Sequence, residues 1–177
     1  IKDKEYTGKP VTQNIVIKNG NVVLDEGVDY TVSYSANTKV GTVDVTITGT
    51  GSYTGEIKKS FVIAPAKQQI QKLETRFKGF FIDWAQKGSA TGYEIEYSTS
   101  ADFKNSTVKK LTANKPDTLT ISGLKAGKKY YVRVRSYTNV GEKVYYGAWS
   151  DSKNITTAKY DITKSSISGI STKTYTG

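Results

Sequence analysis

The side chains that most often carry enzyme chemistry are missing from this chain. Its 177 residues include no His, Cys or Met. Without histidine the usual general base and metal ligand are absent, and without cysteine no disulfide or thiolate metal site can form. No nucleophile-elbow, dinucleotide or phosphate-loop motif occurs in the sequence. We therefore expect no enzymatic activity, no cofactor and no metal.

Three acidic residues stand close together before a predicted strand: Asp25, Glu26 and Asp29. Such a cluster is typical of a solvated loop in which Asp29 caps a turn. Weak calcium binding is the alternative, although the cluster lacks the alternating ligand spacing of a calcium loop.

Arginine and tryptophan side chains predict a stack near the end of the chain. Arg133 and Arg135 alternate along one predicted strand, and Trp149 lies on its neighbour. On one face of a sheet the guanidinium groups would stack on the indole, and each exposed contact would contribute ~0.5–1 kcal/mol. The stack is then either a structural ladder or a platform for a ligand.

Tyrosines gather around the adjoining loop from Thr138 to Lys143. Aromatic residues near a loop tip suit contact with a glycan or a protein, or they pack on the sheet or on the next domain. The complete candidate ligand surface consists of Arg133, Arg135, Tyr137, Tyr145, Tyr146 and Trp149.

The positive charge of the chain is unevenly distributed. Residues 1–64 contain seven basic and seven acidic side chains, whereas residues 65–159 contain 17 basic and eight acidic ones. The second segment would attract anionic partners such as teichoic acid, sialylated or sulfated mucin glycan, or an acidic protein. The alternative is a lysine-rich surface that only maintains solubility. Nucleic acid is not expected, because no recognised nucleic-acid-binding fold is present.

Residues 1–64 show the period-2 alternation of β-strands. Val43, Val45 and Ile47 alternate with polar residues, and Asn19-Gly20 predicts a type I′ hairpin turn. We expect a small antiparallel β-sandwich of at most seven strands, with Tyr30 and Tyr34 in its core.

The motifs of this segment resemble the Ig-like repeats of Firmicutes surface proteins. The matching stretches are Tyr6-Thr7-Gly8-Lys9-Pro10, Leu24 to Tyr34, Gly41 to Gly49 and Ser52-Tyr53-Thr54-Gly55. The resemblance implies an Ig-like fold and an extracellular, non-catalytic role. Members of that family begin with a further strand, which we expect to be missing upstream of Ile1.

Residues 65–159 resemble a fibronectin type III domain. The resemblance lies in Trp84 on the second strand, in the run from Gly92 to Tyr97, and in the run from Leu124 to Val134. It implies seven strands, no cofactor and no catalysis. It also implies that Trp84, Tyr93 and Tyr130 are core residues, with the Tyr130 hydroxyl bonded to backbone near Leu124. Short linkers at 64–67 and 158–161 favour an extended, semi-rigid rod of tandem β-sandwiches.

The last eight residues repeat the first eight. Ile1, Lys4, Tyr6, Thr7 and Gly8 recur with the same spacing in the segment from Ile170 to Gly177. We therefore expect residues 160–177 to be the first strand of the next Ig-like repeat. Because an unpaired apolar edge is a liability, we further predict that 161–177 pairs head to tail with residues 1–64 of a neighbouring molecule.

These features predict an all-β module of a secreted or wall-anchored Gram-positive surface protein. Its expected role is that of a stalk or spacer with a contribution to adhesion, and its partners would be neighbouring repeats of the same protein. Two alternatives stay open. One is an adhesin for a host protein, such as immunoglobulin or mucin, or for a glycan, and the other is an accessory domain of an extracellular hydrolase. No apolar run approaches the roughly 20 residues of a membrane span.

Overall fold

The structure, a computed structural model, describes residues 1–169 and confirms the all-β class. Among these residues no helix has the length and apolar character needed to cross a membrane. The strands are β1 (Lys4–Glu5), β2 (Lys18–Asn19), β3 (Val22–Val23), β4 (Tyr30–Tyr34), β5 (Gly41–Gly49), β6 (Glu56–Ala64), β7 (Ile70–Arg76), β8 (Gly79–Trp84), β9 (Gly92–Ser98), β10 (Thr107–Leu111), β11 (Thr118–Ile121), β12 (Lys129–Val140), β13 (Lys143–Tyr146) and β14 (Lys153–Thr156).

The first unit is a four-stranded sheet in the order β1-β6-β5-β4, accompanied by the hairpin β2–β3. Its long strands bury alternate residues, as the period-2 pattern of β5 predicts. Val43 and Val45 are fully buried and belong to one apolar cluster with Phe61 and Ile63 of β6. This unit therefore has a core of its own.

One pairing in the first unit departs from the antiparallel arrangement expected. β1 runs parallel to β6, with Lys4 opposite Ile63 and Glu5 opposite Ala64. The Tyr6 backbone N–H extends this pairing by donating to the Ala64 carbonyl at 2.8 Å, and the Val62 N–H donates to Asp3 Oδ1, also at 2.8 Å. This pairing joins the two ends of the first unit, which meet only in the folded state. Local alternation therefore does not reveal it.

The hairpin predicted at Asn19-Gly20 is present, but its turn is centred one residue later. Asn19 pairs with Val22, which places Gly20 and Asn21 at the two central positions. Of these two, Gly20 alone has a positive φ, at 59°. A glycine at the first central position is typical of a type II′ turn rather than of the type I′ turn expected.

Two core tyrosines also hold the segment that crosses over the sheet. Tyr30 is buried and Tyr34 is half-buried against the same cluster. The Tyr34 hydroxyl accepts from the Gln13 N–H at 3.0 Å, and the Tyr30 hydroxyl donates to the Ile15 carbonyl at 3.4 Å. Gln13 and Ile15 lie outside any strand. The two tyrosine hydroxyls therefore supply part of the backbone hydrogen bonding that a sheet would otherwise provide to this segment.

The second unit has two facing sheets. One sheet has the order β11-β8-β7, and the other has the order β10-β9-β12-β13 with β14 also paired to β12. Trp84, Tyr93 and Val132 are fully buried between them, and Tyr130 is buried beside them. The Lys125 N–H donates to the Tyr130 hydroxyl at 3.3 Å, next to Leu124, as the resemblance implies.

The last strand of this unit is broken into two short pieces. β13 pairs with residues 137–140 of β12, and β14 pairs with residues 129–132. Between them the Gly147 N–H donates to the Ser136 carbonyl, and the Ser150 N–H donates to the Val134 carbonyl. In return the Val134 N–H donates to Ser150 Oγ at 3.0 Å, a side-chain oxygen in place of a strand carbonyl. The unit consequently has eight strand segments where seven strands were expected.

Beyond the second unit, residues 160–169 form no strand and contain a 3₁₀ helix at Ile162–Lys164. Asp161 caps this helix by accepting from the Thr163 N–H at 3.0 Å and from its hydroxyl at 2.6 Å. The repeated residues 170–177 lie outside the described residues. Strand exchange through 161–177 therefore stays a prediction.

The core tyrosine Tyr93 lowers the free energy of unfolding of the second unit at alkaline pH, where its phenol ionises. Burial raises the pKa of Tyr93 above its ordinary value of 10.0. As pH rises, the Tyr93 phenol therefore ionises at a lower pH in the unfolded chain than in the folded one. The contribution of the protonated phenol to the free energy of unfolding is complete below about pH 10, and it is lost as pH rises towards the folded-state pKa. We expect Tyr93→Phe to be less stable at pH 8 but to lose less of its remaining free energy of unfolding at alkaline pH.

Guanidinium denaturation at a series of pH values from about 8 to 11 measures this difference. Phe80→Leu is the control, because it perturbs the same core without removing an ionisable group. Parallel curves for the wild type and Tyr93→Phe across this range would contradict the prediction.

Candidate functional site

Five of the six candidate ligand residues lie on one face of the sheet built by β9, β10, β12 and β13. Along β12 the core residues Val132 and Val134 alternate with Arg133 and Arg135, which point to the opposite face. The break between β13 and β14 lets Trp149 reach this face, where Tyr137 and Tyr146 also lie. We call these five residues, together with Glu94 and Glu96 of β9, the ladder face.

Both arginines of the ladder face are bonded to glutamates of the adjacent strand. The β9–β12 register places Arg133 opposite Glu96 and Arg135 opposite Glu94. Arg133 Nε donates to Glu96 Oε2 at 2.6 Å, and Arg135 donates to Glu94 Oε2 from Nε at 2.8 Å and from Nη2 at 2.7 Å. The glutamate side chains are 9% exposed, against 28% and 25% for the arginines. These pairs are largely removed from water, so their attraction is screened less than that of surface pairs.

Aromatic rings cover the two guanidinium groups from both sides. Arg135 lies 4.1 Å from the ring centre of Tyr146 and 4.3 Å from that of Trp149. Arg133 lies 4.7 Å from Trp149 and 4.0 Å from Phe103. The indole therefore stands between the two cations, and the order Phe103, Arg133, Trp149, Arg135, Tyr146 alternates aromatic and cationic groups.

Besides the two glutamates, two further members of this arrangement do not follow from the sequence analysis. Lys110 of β10 extends the alternation, with Nζ 4.3 Å from the ring centre of Tyr137 and 3.9 Å from Glu94 Oε1. Phe103 lies in the β9–β10 loop with a φ of 61°, a left-handed conformation that is rare for a bulky residue. Lys110 lies in strand β10 beside Lys109, where alternation places one of the two lysines on the outer face of the sheet, but no periodic pattern points to a loop phenylalanine.

The sixth candidate, Tyr145, lies on the other face of β13. Neighbouring residues of a strand point to opposite faces, so Tyr145 cannot share a surface with Tyr146. Its hydroxyl is 3.0 Å from Thr42 Oγ1 of the first unit, and its side chain is buried. That hydrogen bond, with Lys143 nearby, lowers the pKa of the Tyr145 phenol. Tyr145 thus belongs to the contact between the two units.

The ladder face offers little unpaired chemistry to a ligand. Tyr137 is only 2% exposed, and its hydroxyl donates to the Leu111 carbonyl at 3.1 Å. The two arginines and Lys110 lie beside the carboxylates of Glu94 and Glu96, and the rings of Tyr146 and Trp149 stack on guanidinium groups. Of the two interpretations open from the sequence, this geometry favours the structural ladder.

The acidic cluster of the first unit is organised as a turn. Asp29 Oδ2 accepts from the Asp25 N–H at 2.9 Å, and the Val28 and Asp29 N–H groups donate to the Asp25 carbonyl. Among residues 1–169 no group of three or more acidic side chains is arranged to hold a metal ion.

Comparison with known proteins agrees with the architecture of the second unit. The family model "Fibronectin type III domain" matches residues 70–153, and these residues form a fibronectin type III domain. Domains of this class are commonly structural or spacer modules and are typically non-catalytic. No curated protein matches the chain.

Two solved structures are similar to this chain at low identity. The crystal structure of chicken CNTN1 FN1–FN3 domains is 17% identical with a TM-score of 0.47, over 68% of this chain and 44% of that one. A structure described as a myokine is 11% identical with a TM-score of 0.45, over 54% of this chain and all of that one. The chain thus spans less than half of the chicken fragment.

Proposed function

We propose that this chain is a non-catalytic spacer that holds its two β units in a preferred orientation within an extracellular bacterial surface protein. The observation that carries the proposal is the hydrogen bond between Thr42 of β5 and Tyr145 of β13, together with the contacts of the linker between the units. We call this set of contacts the joint.

The linker of the joint lies against the second unit. Ser136 Oγ donates to the Ala66 carbonyl at 3.2 Å, and Lys67 Nζ bonds Asp151 Oδ1 at 2.8 Å. A Cβ added at Gly147 would come within 2.6 Å of the Pro65 carbonyl oxygen, so the absence of a side chain there lets the linker approach closely. A linker held at successive residues has fewer orientations than a flexible one.

Residues from both units line one cleft. Tyr6 and Val40 come from the first unit, and Ser89, Thr138 and Val140 come from the second. Thr138 Oγ1 donates to the Ser89 carbonyl at 2.7 Å, which fixes the wall contributed by the second unit. The joint is small, and each of its neutral hydrogen bonds contributes about 1 kcal/mol. It therefore favours one orientation but leaves the units some freedom to move relative to each other.

We expect removal of the Tyr145 hydroxyl to widen the range of orientations between the units. Tyr145→Phe deletes the hydrogen bond to Thr42 and should weaken the preferred orientation about five-fold, the equivalent of about 1 kcal/mol. Because the chain has no cysteine, Ser52→Cys and Lys104→Cys provide two unique spin-label sites, one in each unit. Double electron–electron resonance then measures the distribution of distances between them.

Tyr146→Phe is the matched control, because it removes a phenol hydroxyl from the opposite face of the same strand. It should leave the distance distribution of the parent unchanged. If the double-cysteine protein with Tyr145 intact already showed a distance distribution as broad as that of two units on a flexible linker, the spacer proposal would be wrong.

The surface location in the proposal rests on the motifs of residues 1–64 and on the absence of cysteine, since a secreted β protein without disulfides fits a Gram-positive surface. The full-length sequence tests this part of the proposal. It should contain a secretion signal, further copies of these modules and a means of attachment to the wall.

A further inference from the structure

Lysines from three chain segments gather at the end of the second unit that lies away from the joint. The Leu124 N–H donates to the Lys78 carbonyl at 2.8 Å, which joins the β7–β8 turn to the β11–β12 loop. The Thr157 N–H donates to the Lys128 carbonyl at 3.0 Å, which joins the same loop to the end of β14. We call this end the lysine pole, and its cations are Lys78, Lys125, Lys128, Lys129 and Lys159.

The side chain of Lys159 lies across the loop of the lysine pole. A Cβ added at Gly127 would come within 2.7 Å of Lys159 Cε. Gly127 also has a φ of 63° and donates its N–H to the Thr157 carbonyl. Glycine therefore serves both the turn and the close approach of a lysine to its neighbours.

The charge of the lysine pole is not balanced by nearby carboxylates. None of its five lysines takes part in an ion pair of residues 1–169. The sequence contains no acidic residue between Thr118 and Gly141. Asp161 follows Lys159 by two positions, and two hydrogen bonds from Thr163 lower the pKa of its carboxyl group, so it contributes one negative charge beside the five lysines.

An exposed aromatic pair adjoins the lysines. The residues Phe77 and Tyr160 are 49% and 61% exposed, and their rings meet edge to face with centres 5.6 Å apart. Lys78 Nζ lies 5.5 Å from the centre of the Phe77 ring. The pole thus combines point cations with apolar ring surface, the two features that a charged sugar polymer would contact.

We propose that the lysine pole binds an anionic polysaccharide. Sulfate or phosphate groups contact the lysines, and a sugar ring packs against Phe77 and Tyr160. A single small anion would gain little at this open surface, because water and salt screen each contact. A polymer engages several lysines at once, so that each further contact is made at high effective concentration. This activity is additional to the spacer role and independent of it.

Binding of the whole chain to dextran sulfate, measured by isothermal titration calorimetry at low salt, tests the proposal. The triple variant Lys125→Gln, Lys128→Gln, Lys159→Gln should bind at least about 10-fold more weakly, because three cations are lost from one surface. The charge-matched control is Lys9→Gln, Lys18→Gln, Lys115→Gln, whose three exposed lysines lie outside the pole. It should weaken binding by no more than about 2-fold.

Two further arms separate the sugar from its charges. Tyr160→Ala should weaken binding to dextran sulfate about 3-fold but leave binding to inorganic polyphosphate unchanged, because polyphosphate has no sugar ring. Circular dichroism checks that each variant is folded. Equal losses in the two triple variants, an equal effect of Tyr160→Ala on both polymers, or tighter binding of single-stranded DNA than of dextran sulfate would each overturn the proposal.

Discussion

Trp84→Ala should destabilise the fibronectin type III domain by about 3–5 kcal/mol and leave the first unit almost unchanged. Trp84 is fully buried, and its ring centre lies 5.3 Å from that of Tyr93. Removing the indole leaves a cavity between two sheets that are each tied by backbone hydrogen bonds, so the core can collapse only partially. The two apolar clusters share no residue, and the loss should therefore be confined to one unit.

A second substitution separates the volume of the indole from its polar atom. Trp84 Nε1 is buried without a hydrogen-bond partner among the described residues. Trp84→Phe therefore sacrifices no hydrogen bond and removes an unsatisfied donor, which offsets part of the lost packing. We expect Trp84→Phe to cost less than about 1.5 kcal/mol, well below the cost of Trp84→Ala.

Guanidinium denaturation followed by the fluorescence of Trp149 measures both variants, because Trp149 is then the sole tryptophan of the chain and reports on the affected domain. Phe61→Ala, in the core of the first unit, is the control and should leave this transition in place. If the free energy of unfolding of Trp84→Ala stayed within about 0.5 kcal/mol of the wild-type value, the cavity argument would be wrong.

Arg135→Ala should destabilise the same domain by about 2–3 kcal/mol. It leaves the carboxylate of Glu94 nearly buried, with Lys110 as a distant partner at 3.9 Å. Breaking one side of a fully buried pair costs about 3–5 kcal/mol, and the partial exposure of Arg135 lowers this figure. The contacts of the guanidinium group with Tyr146 and Trp149 are lost at the same time.

Two comparison variants identify the source of that cost. Arg135→Lys keeps the charge but loses the planar group that stacks and donates two bonds, so about 1 kcal/mol should be lost. The double variant Arg135→Leu with Glu94→Leu removes both charges and should recover most of the stability lost in Arg135→Ala. Unfolding by denaturant measures all three variants. If the double variant were less stable than Arg135→Ala, the unpaired carboxylate could not be the main cost.

Much of the second unit could be predicted from the sequence because its information is local. The resemblance to fibronectin type III domains implies that Trp84 and Tyr130 are core residues. The alternation of the strands that contain them agrees, because alternate positions of a strand share one face. The stack of Arg133, Arg135 and Trp149 also followed from alternation on neighbouring strands. Its glutamates did not, because the partner of an arginine depends on the register between β9 and β12.

Two other features of the fold are not encoded locally. Proximity in the chain suggests that Tyr145 and Tyr146 share a surface, although alternation places adjacent residues of a strand on opposite faces. The parallel pairing of β1 with β6 joins residues nearly 60 positions apart in the sequence, so no local pattern announces it. Contacts made by loops and by distant segments are decided by the folded whole and not by the period of a strand.

The interruption between β13 and β14 has a consequence for the array of repeated modules that we propose. Neighbouring copies in such an array lie at high local concentration, where exposed sheet edges invite pairing between the wrong strands. Here the outer edge beside β12 is divided into two pieces of four residues each. Neither piece offers a long, flat row of free backbone groups to another copy. The same break that brings Trp149 onto the arginines thereby shortens the edge with which another copy could pair.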